Sequence, residues 1–194
     1  MPTTISGFFL QCAPRGALEL VVPAVDAPFG VEHHRREEAA GPWRHAATFG
    51  RDLGPVGAVS LIQSNFGDPG NLEAVARVGD RLAAFWCAPE GEPSWSEPRF
   101  FAEGAAGDPA LIQGGFGGRG NFELVVPHAG GGLAHYFRDN DTAELGWHGP
   151  AIFGADLGHF EAVAMVQRAV DAPGAPAAPD DLEVVARVGD RLLM

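Results

Sequence analysis

Three tryptophans recur at one interval and are the residues of this sequence best suited to bind a ligand. Trp43, Trp95 and Trp147 are each 52 residues apart, and each is followed six residues later by a phenylalanine. An indole ring offers a flat apolar face, which matches the C–H face of a sugar ring, together with an N–H donor. The pattern predicts one carbohydrate-binding position in each repeat. Packing of the same rings as anchors between repeats is the alternative.

Polar side chains recur in step with these tryptophans. Gln63, Gln113 and Gln167 each close the first apolar run of a repeat, and Ser64 follows the first of them. Amides and hydroxyls both donate and accept hydrogen bonds, as sugar hydroxyls require. Hydrogen bonding of these amides to the backbone of a neighbouring repeat is the alternative. The expected sugar sites combine Trp43 with Gln63, Trp95 with Gln113, and Trp147 with Gln167.

A glutamate recurs in the second, otherwise apolar run of every repeat, at Glu19, Glu73, Glu123 and Glu183. An inward carboxylate must be paired or hydrogen-bonded to be tolerated. Its presence in every repeat indicates an architectural role, because the catalytic carboxylates of a glycosidase are few and asymmetric. The sequence also lacks a nucleophile elbow, a phosphate-binding loop and zinc-finger spacing. We therefore predict no enzymatic activity and no cofactor.

The remaining candidate ligands do not form a metal pattern. His33 and His34 are adjacent, so in a strand they point to opposite faces. The turn 139–141 (DND) lacks the alternating acidic pattern and the closing glutamate of a calcium loop, and we expect it to be a solvated turn. Cys12 and Cys87 fit no metal spacing either. Two buried free thiols are favoured for them over a disulfide.

Short apolar runs separated by glycine-rich or aspartate-containing turns predict β-strands joined by hairpins. A repeat of about 50 residues falls in the range of propeller blades, above that of common helical repeats. The expected fold is all-β: a partial β-propeller of four-stranded blades, about three and a half in number, at roughly 5–54, 55–106, 107–158 and 159–194. A β-sandwich is the alternative, but a sandwich has no reason to repeat its sequence.

Each repeat supplies up to four predicted strands. The segment 162–169 is helical by composition alone, but its alignment with SLIQS (60–64) predicts a strand. The last repeat stops within its third strand, so we expect either a part of a longer protein or a ring completed by a second chain. An open sheet edge favours self-association. The predicted strands are 7–12, 18–23, 31–35, 43–49, 59–64, 72–78, 82–87, 95–101, 110–114, 122–127, 133–138, 147–153, 162–167, 182–188 and 192–194.

Two segments carry a family resemblance. GNFELVVPHAGGGLAHYFRDND (120–141) and WHGPAIFG (147–154), preceded by ALIQGGFG (110–117), resemble the seven-bladed propeller lectins of the PVL/PLL type from mushrooms and bacteria. The resemblance covers most of 58–160 and is weaker in the first and last repeats. It implies non-catalytic binding of fucose or N-acetylglucosamine between neighbouring blades. A propeller scaffold for protein–protein interaction is the alternative, and a propeller glycosidase is least favoured.

Composition narrows the class of partners. Lysine and arginine total 13 against 25 acidic residues, which gives a net charge of −12. That charge argues against binding a nucleic-acid backbone and favours neutral or cationic partners. No apolar run reaches the length of a membrane span, and the first residues lack the pattern of a secretory signal. We therefore expect synthesis in the cytoplasm, with release by a non-classical route left open, and glycans as partners.

Overall fold

The structure, a computed structural model, describes residues 8–11, 16–37, 40–88, 91–168 and 181–194. Within these residues the chain is all-β, with antiparallel sheets and two short 3-10 turns, Arg51–Leu53 and Ala155–Leu157. This confirms the predicted all-β class. No helix in the described part of the chain is long and apolar enough to cross a membrane. The chain divides into two compact units, Met1–Pro109 and Ala110–Met194.

The first unit, as far as the structure describes it, holds two four-stranded sheets in which strands adjacent in sequence are hydrogen-bonded neighbours. Such antiparallel meanders are the expected product of strands joined by short turns. The first sheet contains β1 (Phe8–Gln11), β2 (Leu18–Pro23), β3 (Val31–Arg36) and β4 (Arg44–Phe49). The second sheet contains β5 (Val56–Gln63), β6 (Leu72–Val78), β7 (Arg81–Cys87) and β8 (Arg99–Ala102).

The second unit repeats the arrangement with one four-stranded and one three-stranded sheet among its described residues. The third sheet contains β9 (Ala110–Gln113), β10 (Phe122–Pro127), β11 (Leu133–Arg138) and β12 (Trp147–Phe153). The fourth sheet contains β13 (Ala162–Arg168), β14 (Asp181–Val188) and β15 (Arg191–Leu193). The strand assignment of the segment near residue 162, which composition left ambiguous, is confirmed by β13.

One strand begins four residues after its predicted start. The sequence predicts a strand over 95–101, whereas β8 begins at Arg99. Trp95 pairs with Cys87 through an isolated bridge outside the ladder. Pro98 lies between the bridge and the strand, and proline has no backbone N–H to donate to a ladder. Trp95 therefore pairs with β7 through a single bridge and is separated from β8 by three residues that do not pair.

Burial follows the position of each second strand. All six residues of β10 and the first five of β6 are buried, so both faces of these strands are covered, as their apolar sequences predict. Strand β2 instead alternates between buried and half-buried residues, so one of its faces is less covered. The core of the first unit contains Val21, Phe49, Leu61 and Phe85. The core of the second unit contains Val125, Leu133, Phe160 and Ala186.

Candidate carbohydrate-binding site

Trp95 lies where the first and second sheets of the first unit meet. Its ring stacks on Phe49, with centroids 4.1 Å apart and planes inclined by 17°. Its Nε1–H donates a hydrogen bond to Nδ1 of His33 at 3.3 Å, and the two rings meet edge to face. The indole is therefore held on one face and at its N–H, while the side chain stays half-exposed.

Trp95 also lines a pocket of about 260 Å³ together with the end of β4 and the turn Arg51–Leu53. Thr48 and Ser96 contribute hydroxyl groups to its wall, and Asp52 and Glu97 contribute carboxylates. The volume lies just below the range of roughly 300–1,000 Å³ that is typical for drug-sized ligands. The pocket therefore suits a smaller ligand that presents several hydroxyl groups and one apolar face.

Sequence reasoning missed most of this pocket. Thr48, Asp52, Ser96 and Glu97 were not among the predicted site residues, although one signal could have drawn attention to Asp52. The segment GRDLG (50–54) recurs as GADLG (154–158), so the aspartate repeats in step with the tryptophans. Both copies form a 3-10 turn after a fourth strand, and in both the glycine before the turn has a positive φ.

A buried hydrogen-bonded network lies beneath Trp95. Because an indole N–H can only donate, Nδ1 of His33 is the acceptor and Nε2 carries the proton. That Nε2 lies 2.7 Å from Oε2 of Glu19, and the Nε–H of Arg35 donates to Oε1 of Glu19 at 2.8 Å. His33 and Glu19 are both buried. The indole N–H, which the sequence offered to a sugar, is thus used inside the protein, and only the ring remains available to a ligand.

The recurring glutamate pairs with a histidine in the first and third sheets and with a serine in the second. In the third sheet Nε2 of His135 lies 2.7 Å from Oε2 of Glu123, which repeats the pair of the first sheet. In the second sheet Glu73 accepts from the hydroxyl of Ser64 at 3.4 Å. These buried carboxylates are hydrogen-bonded, as the sequence predicts. Glu183 of β14 is exposed.

Two of the recurring glutamines brace loops. The amide nitrogen of Gln63 donates to the carbonyl of Pro69 at 3.4 Å. That of Gln113 donates to the carbonyls of Arg119 and Gly120 at 3.1 and 3.0 Å. Each glutamine therefore contacts the loop between the first and second strands of its own sheet. Both amides bond backbone, but that of their own sheet and not that of a neighbouring repeat, which was the alternative to sugar contact.

The two other polar candidates also contact backbone. The hydroxyl proton of Ser64 is shared between Glu73 and the carbonyl of Asn71, which is 3.3 Å away, and its oxygen accepts from the N–H of Phe66 at 3.3 Å. Oε1 of Gln167 accepts from the N–H of Gly115 at 2.5 Å. Its Nε2 is buried and has no hydrogen-bond partner among the described residues. Gln167 thus keeps one amide donor that the described protein does not use.

Trp43 and Trp147 occupy the same place in their repeats as Trp95, at the start of the fourth run. Trp43 is 39% exposed, and the guanidinium of Arg36 lies 5.1 Å from its ring centroid. Trp147 is half-buried at the first position of β12. Among the described residues, the Trp95 pocket includes none of the other side chains predicted for sugar sites. None of the three rings is fully buried. A ring must be at least partly exposed to stack on a ligand.

The turn 139–141 is only in part the solvated turn that its sequence predicts, because Asp141 is exposed while its neighbour Asn140 is not. Asn140 is buried, and its amide donates to the carbonyl of Gly120 at 2.6 Å. The carboxylate of Asp141 accepts from the N–H groups of Gly118 and Arg119 at 2.5 and 2.9 Å. The turn therefore closes over the glycine-rich loop after β9, because its amide and carboxylate replace water as partners of the loop backbone. Across the described residues, no cluster of three or more histidine, cysteine or acidic side chains could hold a metal.

Cys87 is buried and free, while Cys12 lies outside the described residues. Burial raises the pKa of the Cys87 thiol above its ordinary value of 9.0, and a backbone hydrogen bond at Ser94 and the charge of Arg35 lower it in part. A protonated, buried thiol is a weak nucleophile. Cys87 therefore acts as a small packing residue beside the Trp95 network.

In chemical terms, the Trp95 pocket can place an apolar ring face against an indole and exchange hydrogen bonds with the hydroxyl groups of a ligand. Its carboxylates accept hydrogen bonds. The hydroxyl of Ser96 donates to the carbonyl of Glu97 at 3.2 Å and accepts from the N–H of Trp86 at 3.1 Å, so it can accept one further hydrogen bond. The hydroxyl of Thr48 lies 2.9 Å from Nε2 of His45. No family model and no curated protein matches this sequence.

Proposed function

We propose that this chain is a segment of a non-catalytic, carbohydrate-binding β-propeller, whose four consecutive sheets are its blades. The ligand is a monosaccharide of the fucose or N-acetylglucosamine type, bound at the junction of the first and second sheets. The resemblance in 58–160 and the 52-residue spacing of the tryptophans support this reading. The observation that carries it is a half-exposed tryptophan in a pocket of about 260 Å³ with hydroxyl and carboxylate groups in its wall.

The chemistry of the pocket matches a pyranose. The exposed part of the Trp95 ring would contact the apolar C–H face of the sugar. Asp52 and Glu97 would accept hydrogen bonds from sugar hydroxyls, and the hydroxyl oxygens of Thr48 and Ser96 would each accept one more beside the bonds they make to His45 and to the backbone. A single site of this kind binds weakly, and repetition along a propeller raises avidity without new contacts.

The test is a titration with fucose and with N-acetylglucosamine, followed by calorimetry and by tryptophan fluorescence. Asp52→Ala should weaken binding about tenfold or more, since hydrogen bonds to a charged group contribute roughly 1.5–3 kcal/mol. Asp156→Ala is the matched control, because Asp156 occupies the same place in the turn Ala155–Leu157 but does not line this pocket. Both aspartates are exposed, so neither change should unfold the protein.

Two results would contradict the proposal. One is the absence of a response to either sugar in a folded protein at millimolar sugar. The other is an unchanged affinity in Asp52→Ala, which would place the sugar outside this pocket.

A scaffold for protein–protein interaction is the second candidate. The observation that favours it is the packing of Trp95 on Phe49 and its hydrogen bond to His33, which give the ring an architectural role. If the protein is a scaffold, Trp95→Phe should change only the free energy of unfolding. If it is a lectin, the same change, which keeps an aromatic face, should also alter the affinity for the sugar.

A further inference from the structure

The wall of the Trp95 pocket carries more negative than positive charge. Asp52 and Glu97 contribute two carboxylates, and Arg51 is the one basic residue among the described residues that line the pocket. All three of these residues are exposed. The whole chain has a net charge of −12, which adds to the negative potential at its surface. The pocket is therefore an unfavourable place for an anion and a favourable one for a cation.

The two carboxylates reach the pocket from different sheets. Asp52 lies in the turn Arg51–Leu53, which follows β4 of the first sheet. Glu97 lies in the second sheet, between the bridge at Trp95 and the start of β8. Among the described residues, neither carboxylate is engaged in an ion pair or in a side-chain hydrogen bond. Both are therefore available to a ligand that lies against the indole.

The protein itself already uses several side-chain donors of this wall. The indole N–H of Trp95 donates to His33, and the hydroxyl of Ser96 donates to a backbone carbonyl. The hydroxyl of Thr48 shares a hydrogen bond with Nε2 of His45 at 2.9 Å. The wall thus offers a ligand more acceptors than donors, and the ligand must supply the donors.

A sugar with a free, protonated amine meets both requirements. An ammonium group has three N–H donors, no acceptor and a positive charge. Its hydrogen bonds to a carboxylate are stronger than those between two neutral groups. The sugar ring keeps the apolar C–H face that Trp95 can contact. Acetylation replaces the charge by a neutral amide, and a uronic acid would bring a further carboxylate against the two in the wall.

We propose that the Trp95 pocket selects its sugar by charge, and that Asp52 and Glu97 set this selectivity. The preferred ligand is the free-amine form of the N-acetylglucosamine type, neutral sugars bind less tightly, and sugars that carry a carboxylate are rejected. The inference rests on the proposed function, because it concerns the same pocket. It adds the class of substrate, which is a glycan whose amino sugars are not acetylated.

The test is a series of calorimetric titrations of the whole chain at about pH 6, at which an amine of this kind is protonated. Glucosamine should bind about threefold more tightly than N-acetylglucosamine, or better, since exposed opposite charges contribute modestly. Glucuronate should bind about threefold more weakly than glucuronamide, its neutral match. Raising the ionic strength from about 0.05 to 0.5 M should reduce both differences, because salt screens exposed charges.

Two variants remove the charges and keep the shape of the wall. Asp52→Asn and Glu97→Gln each retain an acceptor oxygen. Each should lower the ratio of glucosamine affinity to N-acetylglucosamine affinity about twofold, and together they should bring it close to one. This ratio is the readout because a hydrogen bond lost to both sugars cancels in it. Both residues are exposed, so the variants should fold, and the midpoint of urea unfolding checks this.

Asp156→Asn is the matched control. Asp156 is also exposed and occupies the same place in the turn Ala155–Leu157, but it does not line this pocket. The change removes one negative charge from the chain without removing one from the wall. The affinity ratio should therefore stay as it is in the unaltered protein.

Two outcomes would overturn the inference and leave the proposed function intact. One is binding of the neutral sugars with no tighter binding of glucosamine at low ionic strength. The other is a ratio that the double variant does not change, which would place the source of the preference outside Asp52 and Glu97. No binding of fucose, N-acetylglucosamine or glucosamine by the folded protein would instead overturn the proposed function, and the inference with it.

Discussion

Nε1 of Trp95 lies 3.3 Å from Nδ1 of His33, so a side chain that precedes β8 is hydrogen-bonded to a strand of the neighbouring sheet. The two residues are 62 positions apart in the sequence. The bond fixes the tautomer of the imidazole and directs its other nitrogen to Glu19. The indole of Trp95 is therefore held in place by the same network that hydrogen-bonds a buried carboxylate, so the position of the ring depends on the stability of this network.

Loss of His33 should destabilise the protein much more than loss of its neighbour. His33→Ala leaves the indole N–H of Trp95 without its acceptor and removes one partner of the buried Glu19, and each loss costs roughly 1–3 kcal/mol. His34→Ala should change the free energy of unfolding by less than about 0.5 kcal/mol, because His34 is half-buried and bonds a partly exposed Glu32. Urea unfolding followed by circular dichroism measures both values. Equal effects of the two changes would contradict the network.

The three recurring tryptophans should differ in their contribution to stability. Trp95→Ala should lower the free energy of unfolding by roughly 3–5 kcal/mol, since it removes a ring packed on Phe49 and against the core. Trp43→Ala should cost about 1 kcal/mol or less, because this ring is exposed and lies beneath the guanidinium of Arg36 in an exposed cation–π contact. Thermal melting of the two variants in the same buffer compares them. If the Trp43 variant were as unstable as the Trp95 variant, the exposed Trp43 ring would contribute as much to stability as the packed Trp95 ring, and the prediction would be wrong.

Two glycines test the geometry of the turns. Gly70 has a φ of +124°, and a Cβ at this position would collide with the carbonyl oxygen of Ser64. Gly79 has a φ of +62°, and no atom lies within 4 Å of its Cβ position. Gly79→Ala should therefore cost only the strain of left-handed backbone, about 1–2 kcal/mol.

Gly70→Ala carries both the strain and the collision, so it should cost roughly 1–3 kcal/mol more than Gly79→Ala. The hydrogen bond from Gln63 to Pro69 holds the loop after β5, so moving the loop away from the collision would break that bond. Chemical denaturation of both variants gives the difference, and a Gly70 variant at least as stable as the Gly79 variant would contradict the loop conformation.

Cys87 should be inert in the folded protein and should make stability fall at high pH. Burial raises the pKa of its thiol above 9.0, so the unfolded chain releases this proton at a lower pH than the folded chain does. Above about pH 9 the unfolded state therefore binds fewer protons, and the contribution of Cys87 to stability decreases as pH rises. Cys87→Ala should show a flatter decline of the free energy of unfolding between pH 8 and 10.

The rate of thiol labelling is a second measure of the burial of Cys87. A reagent such as dithionitrobenzoate should modify Cys87 slowly in buffer and rapidly in denaturant, because only the exposed thiolate reacts. Comparison with Cys12→Ser assigns the slow phase to Cys87. Rapid labelling of Cys87 in the folded protein would show that the thiol is not buried.

The positions of the strands and the hydrogen bonding of the recurring glutamates could be predicted from the sequence. Apolar runs broken by glycine-rich turns located nearly every strand, because alternation and turn chemistry act over a few residues. Repetition of Glu19, Glu73 and Glu123 indicated a satisfied, architectural carboxylate, since an unpaired one in a core strand is too costly to recur. The prediction failed locally at Trp95, where a proline three residues later ends the ladder.

The partners of those residues were decided by the tertiary structure alone. The sequence does not reveal that the Trp95 N–H meets His33, that Asp52 shares its pocket, or that Asn140 is buried, because each depends on contacts between segments distant in the chain. The same distinction separates Phe49 from Phe153. The two phenylalanines hold equivalent positions in their repeats, and the tertiary structure makes Phe49 a core residue by stacking Trp95 of the neighbouring sheet on it, while Phe153 is 41% exposed.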